Sequence, residues 1–158
     1  MAIIGSANSY AGFPLGLGIA NCDVTLEAHT AISKGEVVAI DPATVSVDYR
    51  FTKTAAIAGA STGGEEIDQT DGGIVVVALE DVASGGYGSF RVQGEVLAEA
   101  DGTVGVGDLC AANAGGNGFR QSAAAGDKYF AIALESGSAG NQNRFLIDGL
   151  NGFGVRHA

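Results

Sequence analysis

The sequence predicts an all-β fold: a compact sandwich-like or barrel-like domain built from two related halves, with an extended N-terminal arm. Three observations support this prediction: 26 glycines in 158 residues, short segments in which apolar and polar residues alternate, and an internal repeat. Alternation with a period of two places successive side chains on opposite faces of a strand. Frequent Gly-containing turns between short segments are typical of sandwiches and barrels.

The internal repeat consists of two pieces, each present twice. ALEDVASGGYGSFRVQG at residues 78–94 matches ALESGSAGNQNRFLIDG at residues 133–149 without a gap. Upstream of these, AISKGEVVAID at residues 31–41 matches TVGVGDLCAAN at residues 103–113. Two copies are too few for a solenoid, which needs at least about three to stack a continuous core. A pseudo-symmetric β-domain is therefore the simpler interpretation.

This repeat sets the predicted organisation of the chain. Residues 1–30 form the arm and residues 31–158 the β-domain, with related halves at 31–98 and 103–150. The halves differ mainly in the connection between their two pieces. In the first half that connection contains residues 52–73, which are rich in Ala, Gly, Thr and acidic residues, so we expect an exposed loop there.

Individual strands are predicted from their patterns. Segments that alternate should bury one face, and they contain Val45, Val47, Tyr49 and Phe51, and then Phe90, Val92 and Val96. Continuously apolar segments should form the core, and they span residues 74–79 and 129–134. The helix candidates are short Ala-rich pieces at residues 54–60 and 121–125, and either could be only a turn.

The arm carries more apolar side chains than a purely disordered tail normally has. We expect it to dock either on its own domain or on a neighbouring subunit, the latter by strand addition. The candidate partner-binding residues of the arm are Ile3, Ile4, Tyr10, Phe13, Leu15, Leu17 and Ile19.

One difference between the repeats points to a second contact. Arg91 of the first half corresponds to Leu146 of the second, so an apolar side chain lies on a face that is polar in the first copy. A subunit contact or a chain terminus could cover Leu146. A singly exposed leucine is the equally weighted alternative.

Composition excludes several functions. Eighteen acidic and eight basic residues give a net charge of −10, which disfavours nucleic acid and anionic lipid as partners. The longest apolar run is too short to span a bilayer, so no membrane partner is expected. Cys22 and Cys110 suggest small buried apolar residues rather than a disulfide framework, although a bridge between them stays open.

Catalytic motifs are missing, so we predict that the protein is not an enzyme. Its histidines, His29 and His157, lie outside any catalytic motif, and no nucleophile elbow, P-loop or zinc motif occurs. No cofactor or metal is predicted. Four carboxylates of the 52–73 connection could gather around Ca²⁺, but their spacing matches no EF-hand and solvated loop charge is the favoured interpretation: Glu65, Glu66, Asp68 and Asp71.

The repeated pieces resemble the small capsid decoration, or cement, proteins of tailed bacteriophages. The resemblance rests on AISKGEVVAID, VVVALEDVASGGYGSFRVQGEV, VGVGDLCAAN and YFAIALE with RFLIDG, and it spans residues 31–150. It implies a structural virion protein, made in the host cytoplasm, on the outer surface of the head. The implied partners are the major capsid protein and further copies of the chain, with a trimer favoured and a dimer possible.

A binding module is the alternative function. In this interpretation the β-domain is a receptor-binding or glycan-binding head protein whose recognition loops are residues 52–73 and 112–120. Carbohydrate sites usually present exposed aromatic rings beside polar groups. Phe119 is the only aromatic residue in these loops, which weakens the alternative.

Overall fold

The structure, a computed structural model, describes residues 20–28, 31–40, 52–54, 74–112, 118–121 and 128–155. All secondary-structure elements among these residues are β-strands, which confirms the all-β prediction. The strands are β1 (Cys22–Ala28), β2 (Val37–Ile40), β3 (Thr52–Thr54), β4 (Ile74–Ala78), β5 (Tyr87–Glu99), β6 (Leu109–Ala112), β7 (Phe119–Gln121), β8 (Lys128–Tyr129), β9 (Ala131–Ala133), β10 (Gln142–Asp148) and β11 (Gly154–Val155).

Nine strands form one sheet that curls into two rings. In the first, the order is β1-β3-β2-β4-β5, and β1 closes the ring by pairing with β5 as well as with β3. In the second, the order is β5-β10-β9-β6-β7, and a parallel bridge between Ala100 and Phe119 joins β7 to the end of β5. The remaining strands, β8 and β11, pair with each other. The architecture is therefore barrel-like.

Strand β5 belongs to both rings. Its first part pairs antiparallel with β1, from Tyr87 opposite Glu27 to Gln93 opposite Cys22. Its second part pairs antiparallel with β10. Buried and partly exposed residues alternate along the strand, as the sequence predicts for its Phe90–Val92–Val96 stripe. The buried stripe enters one core and then the other.

Each ring encloses its own apolar core. In the first ring, Phe90 is fully buried among Leu26, Val38 and Val76. In the second, Phe145 is fully buried, and its ring lies 5.1 Å from that of Phe119. The continuously apolar segments of the sequence supply β4 and the β8–β9 region, and Val75, Val76 and Val77 have no exposed surface, as predicted.

The two rings repeat the same backbone hydrogen bonds at corresponding residues. Ile32 and Val82 exchange a pair of N–H···O bonds, and so do Val104 and Gly137. The turns before β2 and β6 are closed in the same way. Gly35 N donates to Ala78 O, and Gly107 N donates to Ala133 O. Further repeated bonds join Ala28 to Gly85 and Gly86, and Ala100 to Gly140 and Asn141. The rings thus share one hydrogen-bonding scheme.

The glutamate that both copies of the Ala-Leu-Glu repeat share has a structural role in each. Glu80 Oε1 accepts a hydrogen bond from Ser89 N at 2.9 Å, and Glu135 Oε1 accepts one from Arg144 N at 2.8 Å. Each carboxylate therefore satisfies a backbone donor of the following strand, which would otherwise need water.

A size exchange distinguishes the two copies. In the first, Val82 fills the space beside Gly88, and a Cβ added to Gly88 would overlap the valine. In the second, the corresponding residues are Gly137 and Asn143, and a Cβ added to Gly137 would overlap the asparagine. Asn143 Nδ2 donates to Ser136 O at 3.1 Å. Each pair thus combines one glycine with one larger residue. The glycine is the second member of the pair in the first copy and the first member in the second copy.

The β-domain begins earlier than the sequence predicted. Strand β1 lies within residues 1–30, the stretch assigned to the arm, and it buries Leu26 and Ala28 in the first core. Its pattern explains this placement, since Val24, Leu26 and Ala28 alternate with polar residues. Residues 1–19 of the predicted arm lie outside the described residues.

Two further expectations differ from the structure. Cys110 is buried as predicted, but Cys22 is exposed, because it begins β1 where a bulge shifts the register with β5. Both cysteines are free. Residues 52–54, which were predicted to begin an exposed loop, form β3. Thr54, the first residue of the helix candidate at residues 54–60, is therefore in a strand. The other helix candidate begins at Gln121, the last residue of β7. The rest of both candidates, and the predicted stripe from Val45 to Phe51, lie outside the described residues.

We predict that Gly149→Ala destabilises the protein by at least about 3 kcal/mol or prevents folding. Gly149 N donates to Val92 O at 2.8 Å and its carbonyl accepts from Val75 N at 3.0 Å, so its backbone cannot move away. An added Cβ would overlap the Val75 carbonyl oxygen. Gly105→Ala is the control, because its nearest neighbours lie 3.4 Å or more away, and we expect a change of about 0.5 kcal/mol or less. Urea unfolding measures both, and equal stability of the two variants would contradict the prediction.

We predict that Glu135→Ala lowers the free energy of unfolding by about 1 kcal/mol, because the half-buried Arg144 N–H loses its acceptor. Glu135→Gln keeps an acceptor oxygen and should cost less. Glu80→Ala should also cost less, because the Glu80 bond is exposed to water. Thermal or urea unfolding of the three variants gives the ranking, and an equal loss in Glu135→Gln and Glu135→Ala would show that the carboxylate oxygen is not the stabilising group.

Candidate binding groove

A groove of about 560 Å³ lies where the two rings share β5. Its size falls in the range typical of ligand pockets, roughly 300–1,000 Å³. Both rings contribute to its walls, since Arg91 belongs to the first part of β5 and Arg144 to β10. The lining residues are Asn21, Lys34, Ala78, Leu79, Arg91, Glu95, Val96, Leu97 and Arg144.

Three of the eight basic residues of this acidic chain line the groove: Lys34, Arg91 and Arg144. Arg91 is held by Asp23 of β1, with Nε 2.7 Å from Oδ1 and Nη2 3.0 Å from Oδ2. Its Nη1 also donates to the carbonyl oxygen of Glu95. This bidentate geometry fixes the guanidinium plane. Arg91 therefore forms a rigid part of the groove wall.

The charges of the groove are largely paired. Hydrogen bonds from Arg91 hold the pKa of Asp23 below its ordinary value, against a smaller opposing effect of desolvation. On the opposite wall, Arg144 Nη1 lies 3.2 Å from Glu95 Oε1. Three cationic side chains (Lys34, Arg91 and Arg144) thus meet two carboxylates (Asp23 and Glu95), so the groove carries a small positive charge in a protein of net charge −10.

The floor of the groove is apolar. Ala78 and Val96 are buried, Leu79 packs against the core of the second ring, and Leu97 is 47% exposed. An apolar floor between walls of paired charge suits an extended peptide or a loop of another protein. Among the residues that line it, none is a nucleophile with an adjacent base.

The described residues contain no cluster of three or more His, Cys, Asp or Glu that could hold a metal ion. Likewise, no helix in the described part of the chain is long and apolar enough to cross a membrane. The four carboxylates considered as Ca²⁺ ligands, together with His29 and His157, lie outside the described residues.

Sequence-predicted contact residues fall in two groups. The seven apolar residues of the arm, from Ile3 to Ile19, lie outside the described residues. Leu146 is described, and it is only 2% exposed within the single chain. It pairs in register with Ile132 on β9 and with Glu95 on β5, so it shares their face of the sheet, opposite to the face on which Phe145 enters the second core. Leu146 is therefore covered within its own chain and is not a singly exposed leucine, and the subunit contact stays a prediction.

The loops of the alternative binding module do not form an aromatic surface. Phe119, their only aromatic residue, has no exposed surface and packs against Phe145 in the second core. Residues 55–73 and 113–117, which make up most of the two loops, lie outside the described residues. Apart from Gly118, the described parts belong to strands β3, β6 and β7.

Sequence reasoning did not find the groove. Its basic residues are separated by more than fifty positions from one another along the chain, and only the pairing of β5 with β10 and the turn before β2 bring them together. The one available signal was the scarcity of basic residues, which makes each of them informative. Pattern alone could not say which of the eight would meet.

Comparisons with known proteins support the fold. Neither protein-family models nor curated proteins give a match to this chain. Among solved structures, the chain is similar to the N base of the head fiber protein gp8.5 of bacteriophage phi29, known from a crystal structure. The TM-score is 0.55 and the sequence identity 14%, over 82% of this chain and 95% of that one. At this identity the likeness concerns the fold, and it agrees with an all-β domain.

We predict that Glu99→Gln stabilises the protein at pH 7. Desolvation, with contributions from Glu36 and Asp101, raises the pKa of Glu99 above its ordinary value. The folded state therefore favours the protonated form, and this contribution to stability is present below the unfolded pKa and lost as pH rises through the folded pKa. Because Glu99 is partly exposed, the gain should be below about 0.5 kcal/mol. Urea unfolding at pH 7 and at about pH 3.5 tests this, since the difference should vanish at the lower pH. A loss of stability at pH 7 would contradict the assignment.

Proposed function

We propose that the protein is a structural virion protein that decorates the outer surface of an assembled bacteriophage head. In this role it binds the major capsid protein and stabilises contacts between its subunits. The observation that carries the proposal is the fold, which is similar to the N base of a phage head fiber protein over 95% of that chain. The resemblance of residues 31–150 to capsid decoration proteins agrees with it.

The physics of cementing matches this chain. A protein that binds only the assembled shell shifts the equilibrium toward that shell by mass action. Many copies with several weak contacts add avidity, so no single tight site is required. A net charge of −10 suits a layer that faces solvent outside the head, whereas it would be repelled by packaged DNA inside. We propose accordingly that the protein acts without catalysis, cofactor, nucleic acid or membrane.

Two surfaces are the proposed contacts. One is the arm, whose apolar residues would add to a capsid subunit or a neighbouring copy. The other is the groove, whose apolar floor and paired charges suit a loop of the capsid protein. In the sequence, Asn21, which lines the groove, follows the apolar residues Ile3 to Ile19 of the arm.

The alternative, a receptor-binding or glycan-binding head module, has less support. Its single candidate aromatic residue, Phe119, is part of the second core and cannot stack on a sugar without unfolding β7. No observation on the described residues favours it.

We predict that the full-length protein co-sediments with assembled phage heads but not with dissociated capsid subunits, and that deletion of residues 1–20 weakens this binding at least about tenfold. The deletion ends before β1, so both rings keep all their strands and thermal unfolding should be little changed. Thermal unfolding and co-sedimentation of both proteins are the measurements.

The outcomes separate the alternatives. Loss of folding on deletion would mean that the arm docks on its own domain. Undiminished head binding by a folded deletion variant would rule out the arm as an anchor and leave the groove as the proposed contact. Failure of the full-length protein to bind heads would contradict the proposed function.

A further inference from the structure

One backbone edge of β5 borders the groove. Two bonds at the ends of the ladder between β5 and β10 show which residues of β5 face β10. Gly149 N donates to Val92 O, and Ala100 N donates to Asn141 O, each at 2.8 Å. The register between these bonds is continuous. Because backbone groups point to alternate sides along a strand, every second residue from Val92 to Ala100 bonds to β10, and the residues between them face the other edge.

On that other edge the two ends are occupied and the middle is open. At one end, Gln93 pairs with Cys22 of β1. At the other end, Glu99 N donates at 2.8 Å to the carbonyl oxygen of Gly35, in the turn before β2. Residues 94–98 lie between these ends and span about 14 Å at roughly 3.4 Å per residue. No described strand pairs with them on this side, which we call the open edge.

Glu95 and Leu97 point their backbone groups toward the open edge, and both line the groove. Arg91 Nη1 donates to Glu95 O. The N–H of Glu95 and both backbone groups of Leu97 have no partner among the described residues. Asn21 and Lys34, which adjoin the two ends of the open edge in the chain, also line the groove. An unpaired edge of this kind is a template for a further strand.

The charges of the groove select the kind of strand. Both arginines of the groove are paired with carboxylates of the chain. Lys34 is exposed and forms no ion pair with any residue that the structure describes. At physiological ionic strength, exposed charges more than about 8 Å apart are largely screened. The surplus positive charge of the groove, rather than the net charge of −10, therefore acts on a segment bound there.

We infer that the open edge binds an extended, acidic segment of a partner protein, which adds to β5 as a further strand. Backbone bonds to Glu95 and Leu97 supply affinity. Side chains alternate along the added strand, so acidic residues reach Lys34 while apolar residues cover the exposed Leu97 side chain. Residues 1–19 of this chain contain no Asp or Glu and lack the matching charge. The inference rests on the proposed function only for the partner's identity, a segment of the major capsid protein.

The probe is a blocked seven-residue peptide in which Glu alternates with Val, titrated into the full-length protein by calorimetry. We expect a dissociation constant below about 1 mM, and no binding at that concentration would overturn the inference. The same peptide with Lys in place of Glu should bind at least about tenfold more weakly, because the groove is positive. Methylation of alternate backbone amides, in either register, keeps the charges but removes donors, and one of the two registers should also weaken binding about tenfold.

Amide hydrogen exchange, followed by NMR, locates the added strand. The amides of Glu95 and Leu97 should exchange faster than that of Val96 in the free protein, and saturating peptide should slow them at least about tenfold. The Val96 amide is bonded to β10 and should exchange slowly in both states. A Leu97 amide that is protected in the free full-length protein would overturn the inference, since the chain itself would already occupy the edge.

Lys34→Glu tests the charge of the groove. It should weaken peptide binding at least about fivefold, because it replaces an attraction by a repulsion. Lys128→Glu is the matched control, with the same change in charge. Lys128 lies outside the groove, 5.1 Å from the centre of the Phe130 ring, and its substitution should weaken binding less than about twofold. Far-UV circular dichroism confirms that both variants are folded, and equal weakening by the two would overturn the inference.

Co-sedimentation with assembled heads separates this inference from the proposed function. Lys34→Glu should reduce head binding, and the peptide of Glu and Val should compete with it. Head binding that neither the substitution nor the peptide changes would overturn the inference and leave the proposed function standing. Peptide binding without head binding would contradict the proposed function and leave the strand-addition site standing.

Discussion

The long strand β5 forms backbone hydrogen bonds with strands of both rings, and the rest of the structure depends on this constraint. Its backbone pairs with β1 and β4 in the first ring and with β10 in the second. The change from one ring to the next occurs at Gly94, which has φ +111, and a Cβ there would overlap Asn21. Only glycine combines this conformation with so close an approach.

The groove and the buried valines are two results of the same arrangement. The two rings meet along β5. On one side of this junction Val37, Val75 and Val77 are buried in the second core, and on the other side lies the groove. Arg91 and Asp23 connect β5 to β1 at the open side, and Arg144 and Glu95 connect β10 to β5. Polar pairs thus hold the side of the junction that apolar packing leaves accessible to water.

Much of the fold could be predicted from the sequence, because the repeat places apolar residues at the positions that the cores require. The pattern predicted β4, β5 and the Phe130 region, where burial follows alternation or a continuous apolar run. It missed β1, whose short alternation follows a glycine-rich stretch that suggested an arm. The groove could not be predicted, since it depends on which distant strands become neighbours. Leu146 shows the same limit, because residue type alone does not reveal whether the chain's own segments cover a side chain.

Two residue pairs constrain how the two halves can diverge. They are Val82 with Gly88 in the first copy and Gly137 with Asn143 in the second. In the first ring a larger residue at position 88 requires that Val82 first become smaller, and in the second ring position 137 can grow only after Asn143 shrinks. Substitutions at these sites are therefore tolerated in one order and rejected in the other. Each half is locked to its own pair, and a stretch of one half transplanted into the other would succeed only if it carried both members together.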